Sequence, residues 1–138
     1  MMKTLLLLLL LLLPVHARAQ QPLSEVAKAA REAVLRGDVG SLVSSSSSKG
    51  LKLRLPGAEP SAALAPAHAQ ATLRDAFRRT ETSEVSIEDY REVGGGLAFV
   101  ELRREYRVPG SSERRSQLIL LSYRQTRGGW QLVEVRAN

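Results

Sequence analysis

The chain has 138 residues, a formal charge of +6 and no cysteine. Lack of cysteine excludes disulfides, thiolate metal centres and thiol nucleophiles, so a folded domain has to rest on its apolar core. The charges are interleaved, with nine basic and six acidic residues from Gln20 to Ser83 and nine and eight from Glu84 onward. A nucleic-acid binder carries a basic stripe or tail. The mixed pattern reads instead as a solvated surface, with no nucleic acid as partner.

The N-terminus joins Lys3 to nine consecutive leucines, Leu5–Leu13, followed by Pro14 and Ala17-Arg18-Ala19. A short basic region, a brief apolar run and small residues two apart are the parts of a secretory signal peptide. The apolar run is far below the ~20 residues of a membrane span. Residues 1–19 are therefore expected to be cleaved. The remainder, 20–138, is one domain of 119 residues with a formal charge of +4, exported to the periplasm or beyond and not membrane-spanning.

Ser24 is expected to cap a first helix with Val26, Ala30, Ala33 and Val34 on one face and Gly37 at its end. Asp38 offers a cap for a short second helix carrying Val39, Leu42 and Val43. The run Ser44–Ser48 reads as loop, because serine competes for its own backbone. Leu51, Leu53 and Leu55 alternate with Lys52 and Arg54, a half-buried strand closed by Pro56-Gly57. Pro66 fits the first turn of a third helix with Ala69, Leu73, Ala76 and Phe77 on one face, and Arg78 and Arg79 at its end.

From there the period becomes two. Strands are expected over Val85–Val93, Leu97–Val108, Ser116–Thr126 and Trp130–Arg136, joined by Gly94-Gly95-Gly96, Pro109-Gly110 and Gly128-Gly129. The whole predicts an α+β domain: N-terminal helices packed on one side of a curved, mostly antiparallel sheet of four or five strands.

This order, with Gly37-Asp38 between two helices and long C-terminal strands, resembles the nuclear transport factor 2-like superfamily, the cystatin-like α+β cone. Three segments resemble a family of small exported bacterial proteins of unknown function within it. They are Leu51-Lys52-Leu53-Arg54-Leu55-Pro56, the Ala69-Gln70-Ala71 to Phe77 helix, and the closing Gly129-Trp130-Gln131-Leu132-Val133-Glu134-Val135-Arg136. The serine run and the alanine-rich loop before Pro66 depart from that pattern and leave the start of the third helix open. The superfamily includes isomerases, dehydratases and cyclases as well as non-catalytic binding modules, so fold does not choose the function.

No metal-ligand spacing, phosphate loop or cofactor motif is present, so no metal and no cofactor are expected. His68, the one histidine after Ala19, stands among small residues and reads as exposed. Strand parity puts Asp89 on the face of Val85, Ile87 and Val93, and Arg104 on the face of Ala98, Val100, Leu102 and Tyr106. Asp89 with Tyr106 or Tyr123 is the candidate acid–base set of an isomerase or lyase. Arg104 and Trp130 are the candidate ligand contacts. The cluster Arg103, Arg104, Arg107, Arg114 and Arg115 around Pro109-Gly110 reads as edge protection or as a grip on an anionic envelope component.

The first expectation is a non-catalytic exported module that binds a small ligand or an envelope partner. A small-molecule isomerase or lyase is the second. A homodimer through the outer sheet face, with Phe99 and alternate residues of Leu118–Leu121, is the third. A cone cavity of about 300 Å³ or more containing Asp89 separates the second from the first. Sequencing of the exported protein is expected to find Gln20 at its N-terminus, and a chain that still carries the leucine run would refute the cleavage.

Overall fold

The computed structural model describes residues 21–138, and the expected leader lies outside the described residues. The elements are α1 (Leu23–Arg36), α2 (Val39–Ser44), β1 (Lys52–Arg54), α3 (Pro66–Arg78), β2 (Glu81–Gly94), β3 (Leu97–Arg107), β4 (Arg114–Thr126) and β5 (Gly129–Ala137). The strands form one sheet in the order β1-β5-β4-β3-β2. β2 to β5 pair antiparallel in succession, and β1 joins β5 in parallel.

α1 lays Leu23, Ala27, Ala30, Ala33 and Val34 on the sheet. Three alanines let its backbone approach closely, and Arg31 Nε donates to the Val85 carbonyl of β2 at 2.7 Å. The helix starts at Leu23 after Pro22, with no side-chain cap, so Ser24 lies inside the first turn instead of capping it. Gly37 ends α1 as expected. Its φ of +65° lets Asp38 N–H reach back to the Ala33 carbonyl at 2.8 Å.

The Asp38 carboxylate then accepts from Ser41 N at 3.1 Å and from Ser41 Oγ at 2.6 Å. The Ser41 hydroxyl bond holds its pKa below the ordinary aspartate value. α2 buries Val39, Leu42 and Val43.

The serine run is more ordered than a free loop. Ser46 forms a parallel bridge to Leu132, and Ser47 N–H donates to the Leu132 carbonyl at 2.9 Å. The run thus lines the edge of β5 ahead of β1. The strand proper is shorter than its leucine pattern, because Leu51 instead pairs with Leu64 across the following loop. Gly50 sits at that crossing with φ +107°, where a Cβ would meet the Ala63 Cβ at 2.9 Å.

The sheet's inner face carries Val85, Val100, Leu102, Ile119, Leu121, Tyr123, Leu132 and Val135, all buried. β2 begins at Glu81, four residues before its first core side chain. That end of the edge strand covers no core, so its sequence carries no apolar alternation and pairing with β3 alone defines it. β2 also has irregularities between Thr82 and Glu84, Ile87 and Asp89, and Glu92 and Gly94, whereas the β3–β4 ladder has none. Gly50→Ala is expected to cost about 1–3 kcal/mol, from strain at positive φ plus the clash with Ala63. Urea denaturation checks it: a midpoint equal to wild type would refute the constraint.

Candidate functional site

The inward row of β3 ends in a charge. Arg104 continues the side of Ala98, Val100 and Leu102, and only 2% of its surface is exposed. It stands between Val85 of β2 and Gln117 of β4, where the hydrophobic core gives way to the open end between α3 and the sheet. Its Nε donates to Thr82 Oγ1 at 2.7 Å, one terminal nitrogen to Gln117 Oε1 at 3.3 Å, and the other to Thr80 Oγ1. The guanidinium carbon lies 4.8 Å from the Phe77 ring centre and 4.6 Å from that of Tyr106. Phe77 belongs to α3, so the cation sits between a helix ring and a sheet ring.

All three acceptors are neutral, and no carboxylate of the described residues lies within ion-pair distance of Arg104. Buried charges are normally paired. Burial lowers the Arg104 pKa from its ordinary value, yet arginine stays charged throughout the physiological range. Of five guanidinium N–H groups, three are committed by these bonds and two remain.

A cleft of about 260 Å³ opens on this group, lined by Leu55, Pro56, Asp75, Ala76, Phe77, Arg79, Thr80, Arg104, Tyr106, Gln117 and Ala137. Its one carboxylate, Asp75, is 57% exposed and already holds Arg78 at 2.6 Å. Ala76, expected on the core side of α3, is exposed and lines the cleft wall. The cleft therefore offers two guanidinium groups, an amide, hydroxyls and two aromatic rings.

The structure does not assemble the acid–base set. Asp89 lies on the outer face, opposite Glu101, because the irregularity between Ile87 and Asp89 reverses the parity that the sequence implied. It is 53% exposed and its nearest cation is Arg91 at 3.9 Å. Tyr123 is wholly buried in the core between Ala98 and Leu132. Tyr106 alone of the three reaches the cleft. Trp130, the second residue of β5, stands opposite Gln125, packs against the core and is not in the cleft lining.

His68 is exposed in the first turn of α3. The arginines near the Pro109-Gly110 turn are distributed: Arg103 pairs with Glu88, Arg107 with Glu81, and Arg115 with Glu113. Thr80, Thr82 and Gln117 were missed from sequence; the signal present was an arginine in an otherwise apolar inward row, which demands polar neighbours. No group of three or more His, Asp or Glu side chains suited to a metal occurs among the described residues. No described helix is long and apolar enough to cross a membrane.

No protein-family model and no curated protein matches the sequence. Solved structures do match the fold. A DUF4783 family protein from Bacteroides ovatus aligns with a TM-score of 0.64 at 12% identity, over 79% of this chain and 90% of its own. A ketosteroid isomerase-like protein from Erwinia carotovora atroseptica aligns at 0.66 and 16% identity, over 83% and 91%. An LEH-like epoxide hydrolase from M. tuberculosis aligns at 0.58 and 14% identity, over 82% and 78%. The protein has the nuclear transport factor 2-like, cystatin-like α+β fold. At these identities the likeness concerns the fold and leaves the activity open.

Burial raises the Tyr123 pKa well above the ordinary tyrosine value. Its neutral form is the one that folds, so its contribution is complete below pH about 10 and is lost as pH rises further. Wild type is expected to lose stability relative to Tyr123→Phe by about 1.4 kcal/mol per pH unit above that point. Urea midpoints of both proteins across the alkaline range check this, and parallel curves would refute it.

Proposed function

We propose that the chain is an exported, non-catalytic module that binds a small organic carboxylate in the Arg104 cleft. One observation carries the reading: Arg104, a charged residue in the lining of the cleft, has neutral hydrogen-bond partners only, and these take three of its five N–H groups. A ligand carboxylate matches the fork of donors in arginine and neutralises the buried charge. Arg79 on the same wall adds to the positive potential. Leu55, Pro56 and Phe77 supply apolar contact for the body of the ligand. The volume falls just below the ~300 Å³ at which drug-sized sites begin, which favours a compact acid.

The isomerase or lyase reading has less support. It needs a base facing the substrate, and the cleft's only carboxylate is on the rim, exposed and ion-paired. Likeness in fold to an isomerase-like protein and to a hydrolase leaves that requirement unmet.

Benzoate is a suitable probe. Titrated into labelled protein, it is expected to shift the resonances of Thr80, Thr82 and Gln117, while benzamide, the neutral analogue, leaves them in place. Arg104→Gln is expected to weaken benzoate binding at least about tenfold through loss of a charge-assisted bond, with a cooperative thermal transition retained. No shift at these residues, or equal binding by a folded Arg104→Gln variant, would sink the reading.

A further inference from the structure

The Arg104 cleft holds a second cation, and the end of α3 places it there. Arg79 is the C-cap of that helix and lines the cleft. Its N–H and that of Thr80 both turn back to the Phe77 carbonyl, the latter at 3.2 Å, and the Thr80 hydroxyl donates to the same oxygen at 3.1 Å. Thr80 Oγ1 in turn accepts from Arg104, whose guanidinium faces the Phe77 ring. One closed turn from Phe77 to Thr80 thus supplies a ring and an acceptor to the buried guanidinium, and a second guanidinium to the wall.

The charges of the lining do not balance. It contains two arginines, Arg79 and Arg104, and one carboxylate, Asp75. Asp75 is held at 2.6 Å by Arg78, which is not part of the lining. Arg78 stands three residues after Asp75 on the helix and reaches it. Arg79 has no ion-pair partner among the described residues. Asp75 is thereby spent on Arg78, and two positive charges remain in a cleft of about 260 Å³. Like charges gathered in a concave site raise its attraction for anions. A monocarboxylate on Arg104 meets only one of them.

We infer, on the reading that Arg104 takes a ligand carboxylate, that the ligand is a small dicarboxylate whose second carboxylate pairs with Arg79. The two cations differ in kind. Arg104 is buried and set in a regular ladder, whereas Arg79 is exposed at a helix end. The first anchors the ligand through a charge-assisted bond. The second forms an exposed pair, which contributes little affinity and serves to select. Two guanidiniums on separate elements suit two anionic centres, whereas a phosphate monoester puts both charges on one. Leu55, Pro56 and Phe77 of the same lining are left for the short carbon frame between the carboxylates.

Isophthalate adds one carboxylate to the ring of benzoate, and 3-carbamoylbenzoate adds the same shape without the charge. In titrations of labelled protein followed at Thr82 and Gln117, isophthalate is expected to bind about fivefold tighter than benzoate. Neither 3-carbamoylbenzoate nor phenyl phosphate is expected to match it. Glutarate against butyrate repeats the comparison on a flexible chain. Arg79→Gln is expected to bring the dicarboxylate and the monocarboxylate of each pair to equal affinity. Arg74→Gln removes the same charge from an exposed position of α3 outside the lining and is expected to keep the ratio. Circular dichroism verifies that both variants are folded. Benzoate binding with no gain for either dicarboxylate, a gain that survives Arg79→Gln or is lost equally in Arg74→Gln, or phenyl phosphate as the tightest ligand would each overturn the dicarboxylate and leave the Arg104 reading standing. No shift with any of these ligands would overturn both.

Discussion

Arg104 holds the open end of this fold together. A helix laid on a curled sheet buries its apolar stripe only over part of its length, and beyond that point the gap must be closed by something that tolerates water. The guanidinium does this with three hydrogen bonds, to Thr80, Thr82 and Gln117, and with two ring faces, Phe77 and Tyr106. Its partners belong to α3, to the turn after it and to three strands. A cation between aromatic rings gains about 2 kcal/mol when desolvated, and each bond to a charged group about 1.5–3 kcal/mol. These gains offset the desolvation of the charge without any acid, and two of the five N–H groups remain outside these bonds.

The same residue shows how far sequence reasoning reached. The fold was legible because its signals are periodic: alanines and leucines at helical spacing, alternation in four strands, and glycines at the turns. Gly37 and Pro66 stand where their backbone constraints put them. Arg104 was legible as an inward charge because β3 runs without interruption against β4. Asp89 was not, because alternation counted along β2 passes through an inserted residue that leaves no mark in the sequence. The acid expected on the inner face is therefore on the other one, and Thr80 and Thr82, which do meet Arg104, come from a segment with no apolar pattern to place them.

Other differences have the same origin. The serine run lacks any side-chain signature of a strand, yet its backbone pairs with Leu132 at the sheet edge, since edge pairing needs peptide groups and little else. Glu81 to Glu84 extend β2 for the same reason. Where the core lies beneath a strand, side chains encode it. Where only the ladder holds it, they do not.

The distribution of irregularity bears on both faces. β3 turns its even residues inward, Arg104 and Tyr106 to the cleft, and its odd residues, Glu101 among them, outward, so both sets depend on one strand's register. A slip by one residue would exchange the faces. All of the register shifts fall in the pairings of β2 with β3 and of β4 with β5, and the β3–β4 ladder remains regular over its whole length. Curvature is thus taken up at the flanks while the central pair stays straight in register. Side chains are held best on elements whose own pairing fixes them, and the central pair meets that requirement for the buried cation Arg104.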